Sequence, residues 1–140
     1  MIVGGGAAGL LAAASAAARL REAGSAAPVV VLEAAREPGR KILVSGGGHC
    51  NVLPLREARA RFVSSSPRRL VDRFLDRFPL AGQRAFFEEV LGGPLREEAE
   101  SSKLFPPSNR ARDVRDALVA HARAAGAEVR SSAPVREISP

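Results

Sequence analysis

Residues that could do chemistry are concentrated in the segment Ser45–Val52, which reads SGGGHCNV. Three consecutive glycines lead into a histidine, a cysteine and an asparagine. Imidazole and thiolate are metal ligands, a thiolate can act as a nucleophile, and exposed glycine amides can line a phosphate-bearing cofactor. The segment alone leaves these three interpretations open, so the rest of the chain has to decide between them.

A metal site and a thiol nucleophile both find little support elsewhere in the sequence. His49 and Cys50 are adjacent, and adjacent residues rarely reach the same ion; the other histidine, His121, falls on a predicted helix. Cys50 is the single cysteine, which excludes an internal disulfide and a disulfide-reductase mechanism. No base and orienting group are visible for a nucleophilic Cys50. We therefore predict no metal site and assign no catalytic residue.

A second glycine motif, G-x-G-x-x-G, is formed by Gly4, Gly6 and Gly9 directly after the apolar start MIV. The first glycine allows a tight turn, the second lets a pyrophosphate approach the backbone, and the third lets a helix and a strand pack closely. Ala7 and Ala8 would begin the helix, whose free amides and dipole favour an anion. The motif predicts a dinucleotide site.

Glu33 supplies the acidic partner that such a site requires. It ends the apolar run VVVLE, where a carboxylate can accept hydrogen bonds from both hydroxyls of an adenosine ribose. A carboxylate at this place repels a 2′-phosphate, so NADP is disfavoured in this site. NAD and FAD share the ADP half, and the fingerprint does not separate them.

The elements that must position these residues follow from hydrophobic periodicity and turn signals. Strands are predicted at the N-terminus and at VVVLE, and two more short ones in AEVRSSAPVREI; a hairpin is predicted in PLREEAESSKLFPP. Helices are predicted over residues 7–23, from Ser66–Pro67 onwards, around residues 86–91, and over residues 110–125. The pattern is α/β, a Rossmann-like FAD/NAD(P)-binding domain with a parallel sheet over residues 1–140 and a mostly helical insertion at about residues 55–94.

Apolar residues of the insertion fall at helical spacing. Leu70, Val71, Phe74, Leu75 and Phe78 would share one face of the helix after Pro67. Such stripes are typical of core-facing helices, so we expect these side chains to be buried.

The sequence resembles the BaiN-like, or aminoacetone-oxidase-like, bacterial FAD-dependent oxidoreductases. The motifs that carry the resemblance are GGGAAGL, VVVLE, PGRKILVSGGGHCN and KLFPPSNRARDVRDAL, which together extend over nearly the whole chain. His49 departs from the arginine that is usual in that family, and VLPL follows Asn51 where a Thr-Asn pair is common.

The resemblance implies FAD as the cofactor and assigns roles around it. Arg40 and Lys41 would offset the charge of the pyrophosphate. The segment Ser45–Asn51 (Ser45, Gly46, Gly47, Gly48, His49, Cys50 and Asn51) would lie near the ribityl chain and the isoalloxazine, with the glycines offering bare backbone. Val135, in the predicted late strand, would hold the adenine through its backbone.

Composition and charge restrict the partners. The net charge of +6 comes mainly from arginines that are scattered among acidic residues, and the chain has no Trp or Tyr for base stacking, so no nucleic-acid partner is expected. No apolar run is long enough to span a bilayer, so no membrane partner is expected. The single cysteine fits a cytoplasmic setting.

The short first strand and the abrupt end predict an N-terminal piece of a longer protein that lacks a C-terminal substrate domain.

These observations predict the FAD-binding part of a flavoprotein oxidoreductase that transfers hydride between flavin and a small organic substrate or NAD(P)H. Two alternatives stay open: an NAD-dependent dehydrogenase that uses the same turn, and a nucleotide-binding fragment without turnover.

Overall fold

The computed structural model describes residues 1–139 and divides them into two compact units. The first unit contains residues 1–50 and 110–139, and the second contains residues 51–109. Pro140, the last residue of the predicted domain, lies outside the described residues. The second unit is thus inserted in the sequence of the first.

The elements follow the chain in a simple order. They are β1 (Ile2–Val3), α1 (Ala7–Glu22), β2 (Val29–Leu32), α2 (Arg40–Leu43), β3 (Leu53–Pro54), α3 (Arg68–Arg77), α4 (Leu80–Leu91), β4 (Arg96–Glu98), β5 (Lys103–Phe105), α5 (Ala111–Ala124) and β6 (Ala127–Arg130), with 3-10 turns at Ser45–Gly48 and Arg59–Arg61.

The first unit is built on a parallel three-stranded sheet in the order β1-β2-β6. Ile2 pairs with Val31, and Val29 pairs with Ala127. The helix α1 contacts all three strands and also α5, so the two long helices cover the sheet together. This is the predicted Rossmann-type arrangement of a parallel sheet and helices.

Small side chains allow α1 to pack closely. Its buried residues include Ala13, Ala14 and Ala17, and α5 contributes Val114 and Leu118 to the same core. The helix α1 ends at Glu22 and α5 at Ala124, close to Gly24 and Gly126, whose φ angles are positive. Both helix predictions are confirmed to within one residue at each end.

The second unit contains the two expected helices, α3 and α4, and an antiparallel sheet in the order β3-β5-β4. The hairpin of β4 and β5 was predicted from the sequence, whereas the pairing of β3 with β5 was not. Leu53, Leu95 and Leu104 form the buried centre of the unit, and Phe87 packs against it.

Two sequence predictions are wrong. Residues 133–139 form no second strand after β6; Ser132 has a φ of 54°, which turns the chain, and Pro134 has no amide to donate to a ladder. The phenylalanine stripe is not core, because Phe74 is 70% exposed and Phe78 is 49% exposed, while Leu75 is buried. Helical spacing predicted the shared face of α3 but not whether another element covers it.

Among the described residues, none of the helices is both long enough and apolar enough to span a bilayer.

Candidate functional site

The first glycine turn is shaped by close contacts within the backbone. Gly4 has a φ of +94°, and its amide donates a 2.8 Å hydrogen bond to the carbonyl of Leu32, at the end of β2. A Cβ on Gly9 would lie 1.9 Å from the Gly4 carbonyl oxygen. No side chain fits at position 9, so the third glycine of the motif is required by the fold itself.

The second glycine of the motif has open space beside it. Gly6 is exposed, it is the N-cap of α1, and a Cβ built there would meet no atom within 4 Å. The helix that follows has 16 residues and no acidic side chain in its first turn. Its first amides, which include those of Ala7 and Ala8, have no partner within the helix, so they and the helix dipole favour an anion.

Glu33 links the first turn to the end of β2. Its Oε2 accepts a 2.7 Å hydrogen bond from the Gly5 amide, and its Oε1 accepts a 2.8 Å bond from the Ala35 amide. Each carboxylate oxygen can accept a further hydrogen bond. The backbone therefore fixes a half-buried carboxylate that keeps acceptor capacity for a ligand.

A cleft of about 820 Å³ lies at this edge of the sheet, entirely within the first unit. It brings together Gly4, Gly6, Glu33, Arg40 and Lys41 of the predicted site residues, and the remaining lining residues are Ala34, Ala35, Gly39 and Val44. Helix amides and two cationic side chains stand at the same cleft as one carboxylate. This is a combination that can hold a phosphate group and a pair of hydroxyls.

The segment that carries Arg40 and Lys41 is held in place from two sides. The Gly39 amide donates a 2.8 Å hydrogen bond to the Gly5 carbonyl, which ties the segment to the glycine turn. Gly39 has a φ of +73°, and a Cβ there would lie 2.6 Å from Cγ of Arg115, which is buried beneath it. Glycine is therefore required here by both conformation and space.

Arg115 also anchors this segment by charge. Its guanidinium donates a 2.9 Å hydrogen bond to Glu37, and this bond lowers the pKa of the Glu37 carboxyl and raises the pKa of Arg115. Nε of Arg115 also forms an ion pair with Asp116, 2.5 Å from its Oδ1. The helix α5 thus supports the cleft from below.

The second glycine turn follows Val44 and is open. Gly46 and Gly47 have φ angles of 55° and 65°, and Gly48 has a φ of 92°. The three glycines and His49 are exposed, and a Cβ on Gly47 or Gly48 would meet no atom within 4 Å. The turn presents backbone to its surroundings, but it does not line the cleft described above.

Cys50 closes this turn as a buried residue. Its side chain is only 6% exposed, its amide donates a 3.0 Å hydrogen bond to the Ser45 carbonyl, and its φ is 60°. Burial raises the pKa of the Cys50 thiol, and a hydrogen bond with Ser45 offsets this only in part. A protonated, buried thiol is a poor nucleophile.

No group of three or more His, Cys, Asp or Glu side chains within residues 1–139 could hold a metal ion.

Two further predicted site residues do not line the cleft. Asn51 is exposed and begins the second unit, and Val135 is half-buried in the irregular chain after β6. That chain starts beside the site, since the Ala133 amide donates a 2.8 Å hydrogen bond to the Glu33 carbonyl. The roles of both residues stay predictions.

Sequence reasoning missed the lining residues Ala34, Ala35, Gly39 and Val44, and it missed Gly5 and Arg115, which support the cleft. The Pro-Gly pair before Arg40 signals a turn and could have indicated Gly39. Nothing local predicts Arg115, because its contact with Glu37 joins residues that are far apart in the chain.

Comparison with known proteins identifies both a family and a fold. A family model described as "HI0933-like protein Rossmann domain" matches residues 1–140. The crystal structure of THI4 from Thermovibrio ammonificans is similar to this chain with a TM-score of 0.51 and 21% sequence identity. The alignment covers 93% of this chain and 36% of the THI4 chain, so this chain spans about a third of that protein. The comparison with curated proteins gives no significant match.

Proposed function

Because the chain belongs to the HI0933-like Rossmann-domain family, we propose that it is the FAD-binding part of a flavoprotein oxidoreductase. The observation that carries the proposal is the cleft where Gly4, Gly6, Glu33, Arg40 and Lys41 meet at the start of α1. Its donors and acceptors match the groups of an ADP moiety, which has an anionic pyrophosphate and a ribose with two adjacent hydroxyls.

The pyrophosphate would lie against Gly6 and the first amides of α1. Open space beside Gly6 lets a ligand approach the main chain, and the absence of an acidic side chain from the first helical turn avoids repulsion. Arg40 and Lys41 are exposed at the same cleft and would neutralise the remaining charge.

The ribose would bind to Glu33. The amides of Gly5 and Ala35 already orient the carboxylate, so its free lone pairs are positioned without reorganisation when the hydroxyls arrive. This arrangement supports an adenosine without a 2′-phosphate.

The choice of FAD over NAD depends on the second glycine turn. The exposed backbone of Gly46, Gly47 and Gly48 begins two residues after Val44, the last residue in sequence that lines the cleft. In this proposal the turn contacts the flavin half of the cofactor, which supplies the redox chemistry by accepting or donating a hydride. The narrower resemblance to BaiN-like enzymes, carried by PGRKILVSGGGHCN, supports the same choice.

The protein's own residues bind and orient the cofactor, and a substrate domain supplied by a longer chain would complete the enzyme. A small organic substrate, with NAD(P)H as an electron donor, is the partner we propose. Membrane and nucleic-acid partners are not part of the proposal.

The first experiment is purification of the protein and measurement of its visible spectrum. The expected result is absorption by an oxidised flavin that is released as FAD on denaturation, with one FAD bound per chain after reconstitution. A colourless protein that binds NAD and not FAD would instead support an NAD-dependent dehydrogenase. Stoichiometric FAD that no donor can reduce would support a binding fragment without turnover.

A further inference from the structure

The second unit has a cationic cleft of its own, and we propose that it binds a small organic phosphate ester. The cleft has a volume of about 450 Å³ and is lined by Arg56, Arg61 and Lys103 together with Ser101 and Ser102. All of these residues belong to residues 51–109 and none of them lines the dinucleotide cleft, so the proposal does not depend on the proposed function.

Ion pairing distinguishes the arginines of this cleft from others in the same unit. Arg59 pairs with Glu57 at 2.6 Å and with Asp76 at 2.7 Å, and Arg84 pairs with Glu88 at 2.9 Å. Within residues 1–139, by contrast, Arg56, Arg61 and Lys103 have no carboxylate within ion-pair distance. Three uncompensated cations around one concavity repel each other, and an anion would relieve that repulsion.

No Asp or Glu side chain of residues 51–109 lines the cleft, although one carboxylate is bonded to a lining residue. Glu57 accepts the hydrogen bond from Arg59, and Glu98 accepts a short one from the Ser101 hydroxyl. Ser102 has no such side-chain bond in the described chain, so its hydroxyl can donate to a ligand. The lining therefore offers three cationic side chains and the Ser102 hydroxyl, whereas the Ser101 hydroxyl is already bonded to Glu98.

The remaining lining explains why we expect an organic ligand. Val52, Leu53 and Pro54 contribute apolar surface to the same cleft, and 450 Å³ is within the usual range for a small-molecule pocket. A phosphate monoester carries about two negative charges at neutral pH, whereas a carboxylate carries one, so three cations favour the ester.

Phenyl phosphate is a suitable probe, because it joins a dianion to a small apolar ring. We expect isothermal titration calorimetry on the purified protein to give saturable binding with one site per chain, weaker binding of inorganic phosphate, and no detectable binding of phenol. Arg61→Ala and Lys103→Ala should each lower the affinity for phenyl phosphate by about tenfold or more, since each removes a charge-assisted hydrogen bond.

The matched control is Arg73→Ala, which removes an equal charge from an exposed position on α3 that does not line the cleft. It should leave the affinity for phenyl phosphate within about twofold, because an exposed charge that does not line the cleft is screened by salt. Circular dichroism spectra should be the same for all variants, since both Arg61 and Lys103 are exposed. The proposal is overturned if the binding of phenyl phosphate does not saturate or if benzoate binds equally well. It is also overturned if Arg73→Ala lowers the affinity for phenyl phosphate as much as Arg61→Ala does.

Discussion

Both glycine-rich turns of the first unit hold main chain in left-handed conformations, but only one of them is crowded. At the first turn a Cβ on Gly9 would lie 1.9 Å from the Gly4 carbonyl, whereas at the second turn a Cβ on Gly47 or Gly48 would meet nothing within 4 Å. At Gly9, packing within the fold explains why a side chain is absent. At Gly47 and Gly48 the fold explains only the positive φ angles, so the exposed backbone there is available for a ligand.

The largest expected effect concerns Gly9→Ala. The clash is with backbone, which cannot move aside easily, so we expect the free energy of unfolding to fall by about 3 kcal/mol or more. Chemical denaturation monitored by circular dichroism measures this loss.

Gly6→Ala is the matched control within the same motif. Its φ is −77° and its surroundings are open, so stability should change by less than about 0.5 kcal/mol, while FAD affinity should fall because the methyl group blocks the pyrophosphate. Equal stabilities for Gly9→Ala and Gly6→Ala would show that the first turn is not crowded as described.

Glu33→Ala tests the contact between the first turn and the ribose. We expect FAD affinity to fall by about 1–3 kcal/mol, because charge-assisted hydrogen bonds to the hydroxyls are lost and the amides of Gly5 and Ala35 lose their acceptor. Fluorescence titration of FAD gives the affinity, and Glu22→Ala, at an exposed carboxylate at the end of α1 that does not line the cleft, is the comparison. Unchanged affinity in Glu33→Ala would remove the assignment of Glu33 to the ribose.

Gly47→Ala tests the open turn. The left-handed angle costs an alanine about 1 kcal/mol, and no steric clash adds to this in the free protein. If the turn faces the flavin, FAD affinity should fall by more than stability does, and the absorption spectrum of the bound flavin should shift. A variant that loses stability but binds FAD with unchanged affinity and spectrum would mean that the turn contacts no flavin.

The smallest expected effect is the pH dependence of Cys50 modification. Because burial raises the thiol pKa above its ordinary value of 9.0, the thiolate fraction of the folded protein at pH 8 should be lower than that of an exposed cysteine. Reaction with a disulfide reagent should therefore be slow at pH 8 and rise only above the ordinary pKa.

The raised pKa of the Cys50 thiol also makes the free energy of unfolding depend on pH. The folded state holds the proton more tightly than the unfolded state, so Cys50 contributes fully at pH values below 9.0 and its contribution is lost as pH rises through the folded pKa. Rapid modification of native protein at pH 7 would contradict a buried, protonated thiol.

Local sequence patterns predicted the parts of the molecule whose structure depends on contacts between residues close together in sequence. The glycine motif, α1, β2 and Glu33 lie within one βαβ segment, where spacing and periodicity specify both the elements and their contacts. The 16-residue helix after the turn was predicted to within one residue because Gly24 follows it.

The remainder depends on contacts between distant residues. The bond of Arg115 to Glu37 and the support of Gly39 join α5 to the loop after β2, and no local pattern encodes that pairing. Phe74 was expected to be buried because helical spacing reveals a shared face, but spacing does not reveal whether anything packs on it. Val135 was assigned to the second of two short strands in AEVRSSAPVREI, although Pro134 interrupts any ladder.

The pairing of β2 with β6 has a consequence for how the chain folds. Val29 meets Ala127, so the sheet is completed only after the whole of residues 51–109 has been synthesised. The entropic cost of closing so long a loop is modest, since each doubling of loop length adds only about 0.6 kcal/mol. The kinetic effect is larger, because pairing of strands that are distant in sequence slows the search for the native topology. Until β6 has been synthesised, one edge of β2 stays unpaired on the nascent chain. An unpaired strand edge can pair with another chain and so promote aggregation.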